Sequence, residues 1–171
     1  MKHPAVDPSE PIAQIGELAV SGPALREMIQ AVLQTGRPFR FKAAGTSMSP
    51  FIKNGDVLTI RPLSSPPPAF GDVVACIHPD TNKTVVHRLI GRQNRRYLVK
   101  GDNTRTLGAL LPLKDILGCV TKVERNGRHV DWGLGPERRL IALFSRWRLL
   151  LLILSFLQRL RRHPVQEQPY D

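Results

Sequence analysis

From Pro23 onward the apolar residues Leu25, Met28, Ile29, Val32 and Leu33 recur at helical spacing. Ser21 stands in the place of a cap and Gly36 in the place of a stop, so the pattern predicts a short amphipathic helix. Between Phe39 and Val130 the texture changes to short runs: Val57-Leu58-Thr59-Ile60, Val73-Val74-Ala75-Cys76-Ile77, Val85-Val86-His87-Arg88-Leu89-Ile90, Tyr97-Leu98-Val99 and Gly118-Cys119-Val120-Thr121-Lys122-Val123. These read as strands. Asn54-Gly55-Asp56, Pro79-Asp80-Thr81-Asn82, Gly101-Asp102-Asn103 and Asn126-Gly127 separate them, and such residues close turns because they tolerate positive φ or bond their own backbone. Residues 1–20 are Pro-rich and polar, a flexible arm with room for one strand around Ile15 to Val20, and residues 164–171 form a polar tail. No internal repeat is visible. The expected fold is mainly β, with a short N-terminal helix and a basic, Leu-rich C-terminal helix.

Composition narrows the class. A chain of 171 residues with 42% apolar content is long enough for one packed domain. The net charge of +11 favours an anionic partner: a lipid surface, nucleic acid or an acidic peptide. No pattern of aromatics interleaved with basic residues appears, so nucleic acid is not expected as a partner. Cys76 and Cys119 each sit in an apolar run without ligand spacing and read as buried reduced thiols, so neither a metal nor a cofactor is expected. Asp7, Glu10, Glu17, Arg26 and Glu27 interrupt every early apolar stretch, which argues against a secretory signal and for a cytoplasmic start of the chain.

Residues 138–163 change the picture again. Arginines 138, 139, 146, 148, 159, 161 and 162 surround the Leu-rich run Leu149 to Leu157, and the stretch from 138 to 162 holds no acid. That run is too short to span a bilayer, which takes about 20 residues. A window extended back to Leu140 would bury Arg146 and Arg148, which disfavours a single C-terminal span. Two readings remain: a basic helix peripheral to an anionic membrane face or docked on a partner, and a terminal helix covering the domain's own core.

The candidate chemistry begins at Gly45-Thr46-Ser47-Met48-Ser49-Pro50, a serine in a Gly-to-Pro turn where a substrate backbone can approach and backbone N–H groups can face an oxyanion. A serine nucleophile needs a proton acceptor, and an imidazole serves near neutral pH. His87 is the candidate, placed by strand alternation on the face of Val85 and Leu89. His3 and His163 lie in the chain ends, His78 abuts a Pro-Asp turn, and His129 follows Asn126-Gly127 in a predicted hairpin. Asp102, in the turn after a strand, would orient the imidazole.

The joint order of Gly45-Thr46-Ser47-Met48-Ser49-Pro50, Gly71-Asp72-Val73-Val74, Val86-His87-Arg88-Leu89-Ile90-Gly91 and Lys100-Gly101-Asp102-Asn103 resembles the type I signal peptidases, over roughly residues 39–124. Within that family the chain is similar to the histidine-type branch, of endoplasmic-reticulum and archaeal kind, since His87 stands where the usual bacterial members carry lysine. The resemblance implies a coiled β-sheet catalytic domain over residues 21–137 and a serine endopeptidase that removes a leader or signal segment through an acyl-enzyme. It further implies catalysis by Ser47, His87 and Asp102, an oxyanion site at the Ser47 N–H, and Met48 along the substrate cleft. Gly45 occupies the place where some bacterial relatives carry an oxyanion-binding hydroxyl, with Thr46 adjacent. Gly108 occupies the place of a second acid, leaving Asp102 alone or helped by Asp115. A polar arm stands where members commonly have a membrane anchor. Two other readings share the fold: an inactive peptide-binding module, and a regulator related to the self-cleaving repressors. About 38 residues precede the peptidase-like region, too few for the repressors' DNA-binding domain and linker.

Overall fold

The computed structural model describes residues 23–63, 66–147 and 149. The predicted arm at 1–20, with its strand near Ile15, the tail at 164–171 and nearly all of the C-terminal segment beyond Trp147 lie outside the described residues.

The predicted helix is α1, Pro23–Gln34. It buries Ile29 and Leu33 and ends where Gly36, at φ +79°, returns its N–H to the Leu33 carbonyl. Among the described residues eight strands follow: β1 (Phe39–Lys42), β2 (Val57–Arg61), β3 (Val73–Ile77), β4 (Thr84–Gln93), β5 (Arg96–Lys100), β6 (Ala109–Leu111), β7 (Ile116–Arg125) and β8 (Arg128–His129). They form one antiparallel sheet in the order β1-β2-β7-β3-β4-β5-β6, with β8 paired to β7 through the predicted Asn126-Gly127 hairpin. The mainly β fold is as expected. Each of the five predicted runs falls on a strand; β1, β6 and β8 are additional and short.

Alternation along β3 separates two apolar clusters, one on each face. Val73 and Ala75 join Ile29, Leu33, Phe39, Phe41, Met48, Ile52, Leu58 and Ile60 beneath α1. Val74 and Cys76 join Leu89, Tyr97, Val99, Leu111 and Ile116. Register shifts in β2, β3 and β4 mark bulges, which bend the sheet so that it coils about its own core.

The C-terminal helix α2, Arg138–Arg146, folds back onto this body. Ile141, Ala142 and Ser145 are buried, Ile141 packs on Phe51, and Arg138 pairs with Asp72 at 3.1 Å. Over the described residues the helix therefore covers the domain's own core with one face. No helix among the described residues is long and apolar enough to cross a membrane.

Candidate active site

Ser47 sits in the loop between β1 and β2. Gly45 opens it at φ +94°, a conformation other residues adopt only with strain, and its N–H donates to Asn54 Oδ1 at 3.0 Å. The chain then turns tightly, with Ser49 N–H donating to the Thr46 carbonyl and Ile52 N–H to the Met48 carbonyl. Met48, expected along a substrate cleft, is buried in the cluster beneath α1, where it pins the turn to the core. Downstream, the Asp56 carboxylate receives Nε and Nη2 of Arg125 at 2.8 and 2.7 Å and the Lys53 N–H at 2.7 Å. A second bond from Arg125 Nη2, to the Phe51 carbonyl, closes this clamp at the base of the loop.

The turn that follows β5 reaches across to the serine. Asn103 donates its N–H to the Ser47 carbonyl at 2.7 Å and its Nδ2 to the Thr46 carbonyl at 3.2 Å. Gly101 is the point of closest approach. A β-carbon there would lie 2.8 Å from the Ser47 carbonyl oxygen and 3.2 Å from His87 Nε2, so the Ser47 turn and the imidazole flank one glycine. Among the described residues the Ser47 N–H has no acceptor, and neither the Ser47 hydroxyl nor the His87 ring makes a hydrogen bond. Such bonds commonly tighten only when substrate arrives.

His87 lies on the face predicted for it: its β3 partner is Val74, and Val85 and Leu89 pack with Val74 and Cys76. Burial and then the neighbouring His78 push its pKa down from 6.5 to about 4. The ring is neutral at physiological pH and able to accept a proton. The His78 ring stands nearly perpendicular to it, with centroids 6.4 Å apart. Sequence reasoning set His78 aside because of its turn, but continued alternation from Val74 and Cys76 brings His78 to the same face.

Asp102 departs from the expectation. Its carboxylate receives Nε of Arg88 at 2.9 and 3.1 Å and Nη2 at 2.7 Å, and both side chains are fully buried. Arg88 follows His87 on β4 and so points to the opposite face of the sheet, and Asp102 goes with it. Burial pushes the Asp102 carboxyl up from its ordinary value, opposed by the hydrogen bonds and charge of Arg88. Arg88 Nη1 completes the cluster with bonds to the carbonyls of Gly71 and Gly133. Asp102 is thus a strut holding the Gly101 turn to β4, and the neighbour that lowers the His87 pKa, after burial, is His78. Asp115 acts on the Cys76 thiol, which burial first and then Asp115 push up to about 12.

A sequence model of the Peptidase S24-like family matches residues 11–110, which include the Ser47 turn, His87 and Asp102. The chain belongs to that family. No curated protein matches it. Membership in the Peptidase S24-like family supports serine-peptidase or self-cleaving-repressor-like activity in general, and the antiparallel β architecture agrees with it. Arg88 and Gly101, within the matched span of this Peptidase S24-like chain, were not singled out by the sequence. An arginine inside an apolar strand run was the available signal, since a buried charge requires a partner.

Proposed function

We propose that this Peptidase S24-like protein is a serine endopeptidase of the histidine-base kind that removes a leader or signal segment from a peptide or protein. The observation that carries the reading is the meeting of the Ser47 turn and His87 Nε2 at Gly101. Ser47 Oγ attacks the scissile carbonyl while His87 takes its proton. The oxyanion forms against the Ser47 N–H, and the leaving amine departs with the proton from His87. Water, deprotonated by the same imidazole, then hydrolyses the acyl-enzyme. The preference for a leader rests on the motif resemblance to signal peptidases.

The commitment of Asp102 to Arg88 favours a second reading, an inactive peptide-binding module of the same fold. A fluorophosphonate probe decides between them. Labelling by wild type that falls at least about 1,000-fold in both Ser47→Ala and His87→Ala supports the peptidase. Absence of labelling under conditions where a control serine peptidase reacts supports the binding module.

A further inference from the structure

The helix α2 carries large apolar side chains on two sides, and among the described residues only one side packs on the domain. Arg138, Ile141, Ala142 and Ser145 recur at i, i+3, i+4 and i+7 along the face that meets the domain. Leu140, Leu143, Phe144 and Trp147 repeat the same spacing and remain 58%, 43%, 37% and 68% exposed. At about 100° per residue the second set lies diametrically opposite the first. An outward stripe of three large aliphatic and aromatic residues ending in a tryptophan is not accounted for by the packing of the domain. Arg139 and Arg146, both exposed, fall between the two faces along one flank.

The charges beside this stripe identify what it fits. Among the described residues Arg139 and Arg146 flank the stripe, and the sequence from residue 138 to residue 162 contains seven arginines and no acidic side chain. An apolar protein partner would be met equally well by a neutral or mixed rim, whereas a rim of one sign selects an anionic surface. Arginine stems extend along apolar surface while their heads reach phosphate, and tryptophan favours the boundary between headgroups and acyl chains. We infer that the outer face of α2 is a docking surface for anionic phospholipid, with Leu140, Leu143, Phe144 and Trp147 entering the acyl boundary and Arg139 and Arg146 meeting headgroup phosphates. The inner face meanwhile stays on the domain: Lys100 Nζ donates to the Ser145 carbonyl at 2.8 Å, one residue before the Gly101 turn. The helix is therefore an adaptor between lipid and the domain, and this holds whatever reaction the site performs.

Flotation of the full chain with vesicles tests the inference. Wild type is expected to float with vesicles of equal parts phosphatidylcholine and phosphatidylglycerol, and not with phosphatidylcholine alone. Leu143→Gln combined with Phe144→Gln should weaken binding more than tenfold. Arg139→Gln combined with Arg146→Gln should weaken it about fivefold per arginine. All four residues are exposed, so the variants keep the fold, which an unchanged Tm verifies. In a Trp132→Phe background, Trp147 emission should shift to the blue on binding. Failure of wild type to bind, or undiminished binding by the Leu143/Phe144 variant, overturns the inference. So does a dimer of the wild-type chain that this variant dissolves, because the stripe would then belong to a second copy.

Discussion

At the scale of single residues, the proposed base His87 should set the working pH. Its imidazole keeps a neutral ring down to about pH 4, chiefly through burial, so the acidic limb of kcat/KM is expected near that value and not near 6.5. Activity on a peptide substrate should be nearly flat between pH 5.5 and neutrality. His78→Gln removes the neighbour that lowers the His87 pKa and should move the acidic limb upward, which a pH profile of kcat/KM reads directly. Gly101 stands between the Ser47 turn and the imidazole. Gly101→Ala places a methyl group against the Ser47 carbonyl and His87 Nε2, so kcat should fall about 100-fold, as misplacement of reacting groups does, in protein whose circular dichroism remains native. That glycine lay within a quoted motif, but its role was hidden, because the close approach involves partners 54 and 14 positions away in sequence.

At the scale of elements, the strut between β4 and the turn after β5 separates two roles that the sequence merged. An orienting acid and a structural acid both appear as an aspartate in a turn following a strand; what distinguishes them is which face of β4 the partner occupies. Asp102→Asn leaves the Arg88 guanidinium buried without its counter-charge and should destabilise the fold by about 3–5 kcal/mol, read by chemical denaturation. In the folded fraction at low temperature the pH dependence of kcat/KM should keep its wild-type acidic limb, whereas an orienting aspartate would alter it. The long strands were legible because their runs are apolar on both faces or cleanly alternating. Those of two to four residues, β1, β6 and β8, carry too few positions to show a period. The C-terminal helix carried two readings because its sequence is apolar on two sides, and the fold assigns one side to the core.

At the scale of the whole molecule, stability should depend on acid in a defined window. Burial would raise the Asp56 carboxyl, but the Arg125 fork and the Lys53 N–H outweigh it and hold the pKa below 3.8. Glu124, between Lys122 and Arg40, is likewise held below 4.5 against its own burial, and Glu137 is held below it first by the Gly133 N–H. A carboxylate with a depressed folded-state pKa adds stability above its unfolded value and loses it as pH falls through the folded one. The midpoint of urea unfolding should therefore decline below about pH 4, and Arg125→Ala should flatten that decline. The sheet order has a consequence for biosynthesis. Ser47 precedes β2, His87 lies on β4 beside β3, and β7 is the strand that hydrogen-bonds to both β2 and β3. A nascent chain emerging from the ribosome has made Ser47 and His87 before residues 116–125 arrive to join β2 to β3. On the proposed function, the site is complete only once this late strand has paired, and the unfinished polypeptide lacks an assembled peptidase site.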